Sequence, residues 1–352
     1  MKIGDIELKG KVVLGPMAGV TTLAYREFMK PFGVALSYSE MISDCGIVYG
    51  NDRTYEYLKT SEVDRPVGLQ LFGFSIENTI KAIDIVEKEA QYDILDINLG
   101  CPVYKVVKTG AGSAWLKRPQ ELYEYMSAVV AHSHKPVTAK IRLGWDDESI
   151  NFEEVVALLE KAGVAAITIH ARTSKAGYSG TADYEKLAGL RDKMSVPLII
   201  SGDIFTPEQA KKAIDITHAD MVMVARGGLG NPYLVTQINE YLEKGVLLPS
   251  PDVLKQVDYA EDFANRLIAL KGEHIAIQEL KGLLPHFFSG FPGYKKVRME
   301  IAIEFIMLRQ VEFPNHLVMQ FPRIENRPDS VLIFVATGKP KERAHARGAT
   351  EH

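Results

Sequence analysis

Two cysteines, Cys45 and Cys101, in 352 residues are too few for a disulfide framework and point to a reducing, cytoplasmic setting. No run approaches the ~18 consecutive apolar residues of a membrane span. The opening Met1-Lys2-Ile3-Gly4-Asp5 is charged too early for the apolar core of a secretory leader. Neither export nor a membrane partner is therefore expected. Positive charge is not in surplus: 41 Lys and Arg stand against 45 Asp and Glu, a formal net charge of −4. That excludes a globally basic nucleic-acid binder, so any such contact has to come from local patches. No Gly-x-Gly-x-x-Gly follows the first apolar run, which argues against a doubly wound dinucleotide fold. What remains, 46% hydrophobic and 24% charged, is ordinary globular composition at a length that suits one large barrel and a smaller domain.

After a hairpin-like piece from Ile3 to Leu8, one pattern repeats: a short β-branched run, a loop, then an amphipathic stretch. Strands are predicted at Val12–Pro16, Ala35–Ser39, Val67–Phe72, Ile94–Asn98, Val137–Leu143, Ala166–Ala171, Leu198–Gly202 and Met221–Ala225. Between them, 3.6-residue periodicity predicts helices such as Ser75–Glu89, Pro119–His132 and Phe152–Ala162. Ser75 and Thr206 stand at N-cap positions, the latter before Pro207. Alternation of this kind demands parallel strands joined by right-handed crossovers, and eight units imply an α/β fold, a closed (β/α)8 TIM barrel over residues 1–245. Pro249, Ser250 and Pro251 read as a linker. Residues 251–326 are then expected to form a C-terminal α-helical domain, broken near Gly290-Phe291-Pro292-Gly293, and residues 327–352 a disordered basic tail after the β-prone run Val331–Val335.

Chemistry in such barrels sits at the C-terminal ends of the strands. Those ends deliver Pro16-Met17-Ala18-Gly19, Gln70, Asn98 with Cys101, Lys140 with Arg142, His170 with Arg172, Ser201-Gly202-Asp203, and Ala225-Arg226-Gly227-Gly228. Singly each has a bland explanation: Cys101 as an inert buried thiol in a strand-to-helix turn, Lys140 in an ion pair, His170 as a satisfied rim residue, Arg226 as a surface charge. Together they place polar groups from six of eight strands on one rim, which packing alone does not require. Gly202 and Ala225–Gly228 offer unobstructed backbone N–H groups after strands seven and eight, where barrels build phosphate sites, and Arg226 adds a bidentate clamp. Lys140 and His170 supply positive charge suited to a ring that becomes negative on reduction. Pro16-Met17-Ala18 offers a flat apolar edge and Gln70 a donor and acceptor for a polar rim. The set describes a flavin mononucleotide (FMN) pocket; a sugar-phosphate aldolase with Lys140 as Schiff-base nucleophile is the alternative.

The same motifs, in order, are Gly15-Pro16-Met17-Ala18-Gly19-Val20-Thr21, Gln70-Leu71-Phe72-Gly73, Asp96-Ile97-Asn98-Leu99-Gly100-Cys101-Pro102 and Gly110-Ala111-Gly112-Ser113. Lys140-Ile141-Arg142-Leu143-Gly144-Trp145, His170-Ala171-Arg172-Thr173, Tyr178–Tyr184, Gly202-Asp203-Ile204 and Ala225-Arg226-Gly227 follow. Over residues 10–235 the chain thereby resembles the tRNA-dihydrouridine synthase family, nearest its bacterial B-type members. It departs from the family pattern at Tyr104, Ser201 and Ala225.

The resemblance implies reduction of the 5,6 double bond of specific tRNA uridines, with hydride passing from reduced FMN to C6 and NADPH as ultimate reductant. Cys101 would give the proton to C5, a role an unperturbed thiol can fill at neutral pH. Pro16, Met17, Ala18, Gln70, Lys140, His170, Ser201, Gly202, Asp203, Ala225 and Arg226 would hold the flavin, and Asn98, Arg142 and Tyr178 would contact the flipped uracil. No metal is expected, and a monomer is. Two acid-free basic stretches suit RNA phosphates: Lys105, Lys108, Lys117 and Arg118 in one, Lys281, Lys295, Lys296 and Arg298 in the other, the latter among Phe287, Phe288, Phe291 and Tyr294. The alternatives to this reading are a flavin barrel acting on a free pyrimidine and an RNA-binding protein without catalysis.

Overall fold

A computed structural model of the protein describes residues 1–291. Eight parallel strands close into a barrel: β1 Val12–Leu14, β2 Leu36–Ser43, β3 Val67–Phe72, β4 Ile94–Asn98, β5 Val137–Arg142, β6 Ala166–His170, β7 Leu198–Ser201 and β8 Met221–Val224. Each pairs with the next, and β8 pairs with β1. β4, β6, β7 and β8 are buried at every position, which is why they read as near-continuous apolar runs: a parallel sheet wrapped in helices has no solvent face. A short antiparallel ribbon, Lys2–Ile3 with Ile6–Glu7, precedes the barrel. Its Ile3, with Leu8, joins Val13, Leu36, Ile94, Ile199 and Met221 in one buried cluster, so the end where the strands begin is sealed with hydrocarbon.

One strand differs from its prediction by more than two residues; five others end one or two residues early. β2 runs four residues past Ser39, through Glu40, because its register shifts between Tyr38 and Met41 and lets Met41–Ser43 pair with Gln70–Phe72. The helices follow their caps. The Ser75 side chain accepts from Asn78 N–H, starting the helix at Ile76, and Thr206 with Gln209 forms a reciprocal capping box ahead of Pro207. The predicted Pro119–His132 and Phe152–Ala162 helices have those bounds.

A second compact unit starts at Asp252, whose side chain caps a helix over Val253–Lys271. The helix Glu273–Leu283 and a turn over Leu284–Phe288 follow. Phe263, Leu267, Leu280, Phe287 and Phe288 form its core, with the Phe263 and Phe287 rings stacked at 5.9 Å. Phe287 and Phe288 are therefore core residues of this unit. Lys295, Lys296, Arg298, Tyr294, Val331–Val335 and the expected tail lie outside the described residues. Among the described residues no helix is long and apolar enough to cross a membrane.

Arg26 ties the first loop of the barrel to the body. It is 1% exposed, and its Nε donates to Asp64 at 2.8 Å while Nη1 and Nη2 donate to the carbonyls of Thr21 and Lys59. Removing Asp64 strands a buried guanidinium. Asp64→Ala is expected to cost about 3–5 kcal/mol in urea unfolding, against about 1 kcal/mol for Thr206→Ala at the exposed cap.

Candidate active site

Strand register stacks the interior polar groups in levels. Gln70 lies beside Asp96 and Asp96 beside Thr138; on the next level Asn98 lies beside Lys140; above that, Arg142 neighbours His170 and His170 neighbours Ser201. The two-residue period of β5 thus carries Thr138, Lys140 and Arg142 in file towards the mouth. There a pocket opens between the first loop of the barrel and the ends of the later strands. Pro16, Met17, Lys140, His170, Tyr178, Ser201, Gly202, Asp203, Ala225 and Arg226 all line it. Ala18, Gln70, Asn98, Cys101 and Arg142 do not: Ala18 continues the first loop, Gln70 is fully buried a level below, and the other three belong to a neighbouring loop system.

The β7 and β8 loops meet backbone to backbone. A Cβ at Gly227 would overlap the Ile204 carbonyl, and one at Gly202, where φ is +116°, would press on His170 and Ala182. Tyr184 O–H donates to the Gly202 carbonyl. Asp203 sits between two guanidiniums, accepting from Arg172 Nη2 at 2.5 Å and Arg226 Nη2 at 3.3 Å, and also takes the Ala182 N–H at 2.8 Å. Burial alone would raise its carboxyl; the Arg172 bond, Ala182 and both cations hold it below the usual range. Arg226 lies over the Tyr178 ring at 4.6 Å and the Phe205 ring at 5.7 Å, which are 57% and 42% exposed.

Positive charge at this mouth exceeds its local compensation. Lys140 is half-buried, and no described residue forms an ion pair with it. Burial and then Arg142 push its ammonium down to about 8, against opposing pulls from Asp96 and Cys101. His170 is held neutral, by burial first and then by Lys140, Arg142, Arg172 and Arg226. Four cations gather around a pocket with Asp203 on its wall and with Asp96 and Glu40 buried nearby, in a protein of net charge −4. Uncompensated cations and bare-backbone loops fit a phosphate-bearing cofactor whose ring gains negative charge.

The Cys101 loop is fastened on three sides. Asn98 Oδ1 accepts the N–H of Gly100 at 3.2 Å and of Cys101 at 2.8 Å. Arg142 Nε donates to the Gly100 carbonyl at 2.8 Å, and Ser113, through both N–H and Oγ, donates to the Cys101 carbonyl at 3.0 Å. Burial raises the Cys101 thiol, and this outweighs the Val103 N–H, Arg142 and Lys140, which favour the thiolate. Asn98 spends its oxygen on this loop and donates Nδ2 to Gln70 at 2.7 Å. Arg142 spends Nη1 on the carbonyls of Thr173 and Gly177, each at 2.8 Å, which leaves Nη2 as the nitrogen without a hydrogen bond among the described residues. Both side chains expected at the base are thus also loop clamps.

Arg172, Asp96 and Ser113 stand in the strand-end set or the motifs without a role assigned to them from sequence. Arg172 stands at a strand end and was legible there. Asp96 looks like a polar interruption of an apolar strand, and Ser113 gives no local signal.

A closed parallel barrel with its polar groups gathered at the C-terminal ends of the strands is the architecture of a barrel enzyme. The family model for dihydrouridine synthase (Dus) matches residues 13–316, and the chain belongs to that family. It is 37% identical over 304 residues to tRNA-dihydrouridine synthase B of Klebsiella pneumoniae, covering 86% of this chain and 88% of the relative. To tRNA-dihydrouridine synthase B of Shewanella oneidensis it is 34% identical over 278 residues, covering 79% of this chain and 86% of the relative. The barrel also resembles an old yellow enzyme homologue from Zymomonas mobilis, with a TM-score of 0.50 at 13% identity over 73% of this chain and 94% of that one; this likeness concerns the fold.

An unpaired, half-buried lysine is a stability cost. Lys140→Met is expected to raise the melting temperature of the protein. The folded-state value near 8 lies below the ordinary 10.5, so the penalty on the charged form is fully present below pH about 8 and fades towards 10.5. The advantage of the variant, at most about 3 kcal/mol, should therefore shrink as pH rises through that window; an advantage independent of pH contradicts the assignment.

Proposed function

We propose that this protein reduces the 5,6 double bond of specific uridines in tRNA, with FMN as resident cofactor and NADPH as ultimate reductant. The observation that carries the reading is the meeting, at one barrel mouth, of an unpaired cation, a neutral histidine and a protonated thiol in a chain of this family. Pro16, Met17, Ala18 and Gln70 would flank the flavin ring, Lys140 and His170 its polar edge, and Ser201, Gly202, Asp203, Ala225 and Arg226 its phosphate end. When bound and reduced, FMN supplies hydride to C6 of the base.

The residues of this chain supply the rest. Reduction at C6 leaves negative charge at C5 and its adjoining carbonyl, and a proton must arrive at C5. Cys101 can provide it because burial keeps its sulfur protonated at neutral pH. A nucleophilic role for the thiol requires a depressed pKa, and the shift runs the other way. The Arg142 Nη2 and the exposed Tyr178 face suit the edge and plane of the uracil, which must leave its stack to reach them. Exposed Lys105, Lys108 and Lys117, with Tyr104 at 73% exposure, suit phosphates and bases beside the flipped nucleotide. The helical unit from Asp252 is assigned to the body of the tRNA, and two unpaired cysteines suit a cytoplasmic enzyme.

Cys101→Ala should lower turnover ~10²–10⁴-fold with flavin still bound, read by absorbance and single-turnover kinetics. Lys105→Ala and Lys108→Ala should each flatten the log–log salt dependence of tRNA binding by about 0.7–0.9. Dihydrouridine mapping of tRNA from cells lacking the protein decides the substrate: sites missing from the map support the reading, and an unchanged map overturns it.

A further inference from the structure

Asp96 lies below the pocket, 1% exposed, and both of its oxygens are taken. Oδ2 accepts from Gln70 Nε2 and Oδ1 from Thr138 Oγ1, each at 2.6 Å. Thr138 Oγ1 in turn lies 3.1 Å from the Tyr38 hydroxyl. On the other side Gln70 Oε1 accepts from Asn98 Nδ2, and Asn98 Oδ1 accepts from Cys101 N–H. The chain thus runs without a gap from the barrel interior to the proposed proton donor.

Its direction is set at both ends: the Gly100 and Cys101 N–H groups only donate, and Asp96 accepts. An ionised carboxylate only accepts, whereas the amides of Gln70 and Asn98 are nearly symmetric in shape and can turn either way. With Asp96 as acceptor, Gln70 must offer Nε2 downward and Oε1 upward. Asn98 must then offer Nδ2 to Gln70, which leaves its oxygen for the Cys101 and Gly100 amides. Thr138 likewise donates down and accepts from Tyr38. We propose that Asp96 is a positioning residue: as the acceptor at the inner end it fixes the polarity of the relay and, together with the loop amides at the outer end, the amide orientations that hold the Cys101 loop. Its value to catalysis rests on the reading of Cys101 as proton donor.

The relay can be reversed on paper, which supplies the test. In Asp96→Asn the new amide can donate to Gln70 Oε1, turning Gln70 over and setting Nε2 against Asn98 Nδ2, so the Cys101 amide loses its acceptor. In Asn98→Asp two acceptors face each other at Gln70. The double variant D96N/N98D is consistent again. The new amide at position 96 donates to Gln70, Gln70 donates to the new carboxylate at position 98, and that carboxylate accepts the Cys101 N–H. The negative charge has then moved one level up, beside Lys140. Amide hydrogen exchange on the full-length protein reads this without turnover.

Asp96→Asn should speed exchange at Cys101 and Gly100 about tenfold, the worth of one hydrogen bond, while Leu99 N–H, which donates to the Lys140 carbonyl at 2.9 Å, stays unchanged; Asn98→Asp keeps an acceptor for both amides and should not speed it. The double variant should recover protection at both. Unchanged exchange at Cys101 in D96N, equal loss at Leu99, or a double variant no better protected than D96N would overturn the proposal. If D96N alone does not fold, the double variant should fold, and a double variant that also fails to fold overturns the proposal. Turnover of Cys101→Ala decides the catalytic role of the thiol separately.

Discussion

Excess positive charge at the barrel mouth is the constraint on which the rest of the site depends. Lys140, Arg142, Arg172 and Arg226 stand within one rim, and like charges so placed repel unless each is anchored. The structure anchors three of them differently. Arg142 is spent on the backbone carbonyls of Gly100, Thr173 and Gly177, and Arg172 on those of Ser179 and Gly180 and on the Asp203 carboxylate. Arg226 is held by Asp203 and laid on aromatic faces. Lys140 has no such partner among the described residues, and its depressed pKa registers the cost. The same guanidiniums that keep His170 neutral also fasten the loops carrying Tyr178 and Cys101, so the electrostatics of the pocket and the shape of its rim are one arrangement.

Most of the fold was legible because each signal was local. Buried parallel strands leave continuous apolar runs, Ser75, Thr206 and Pro207 mark helix starts by their own chemistry, and eight repeats leave few topologies. β2 escaped because a bulge is a property of two strands together: nothing at Glu40 itself says that Met41 will pair with Gln70. The pocket lining was legible for the same local reason, since every strand end could be inspected in turn. The interior was not. Whether Asn98 faces a base or a backbone, and whether Arg142 holds a substrate or a loop, depends on partners brought in by register, Gln70 across one strand pair and the 173–177 carbonyls from the next loop.

That distinction sharpens how Cys101 is understood. From Asn98-Leu99-Gly100-Cys101-Pro102 alone, the residue is either a buried turn thiol or a reactive one. In the structure it is partly both: burial raises its pKa as for an inert core cysteine, yet the loop is pinned by Asn98, Arg142 and Ser113 at the edge of a cationic pocket. For a nucleophile these two features conflict, because burial opposes the thiolate that the cations favour. For a proton donor they agree, since burial keeps the proton on sulfur and the pinned loop holds that sulfur in one place. The cations then stabilise the thiolate that remains once the proton has left, so they act after the transfer.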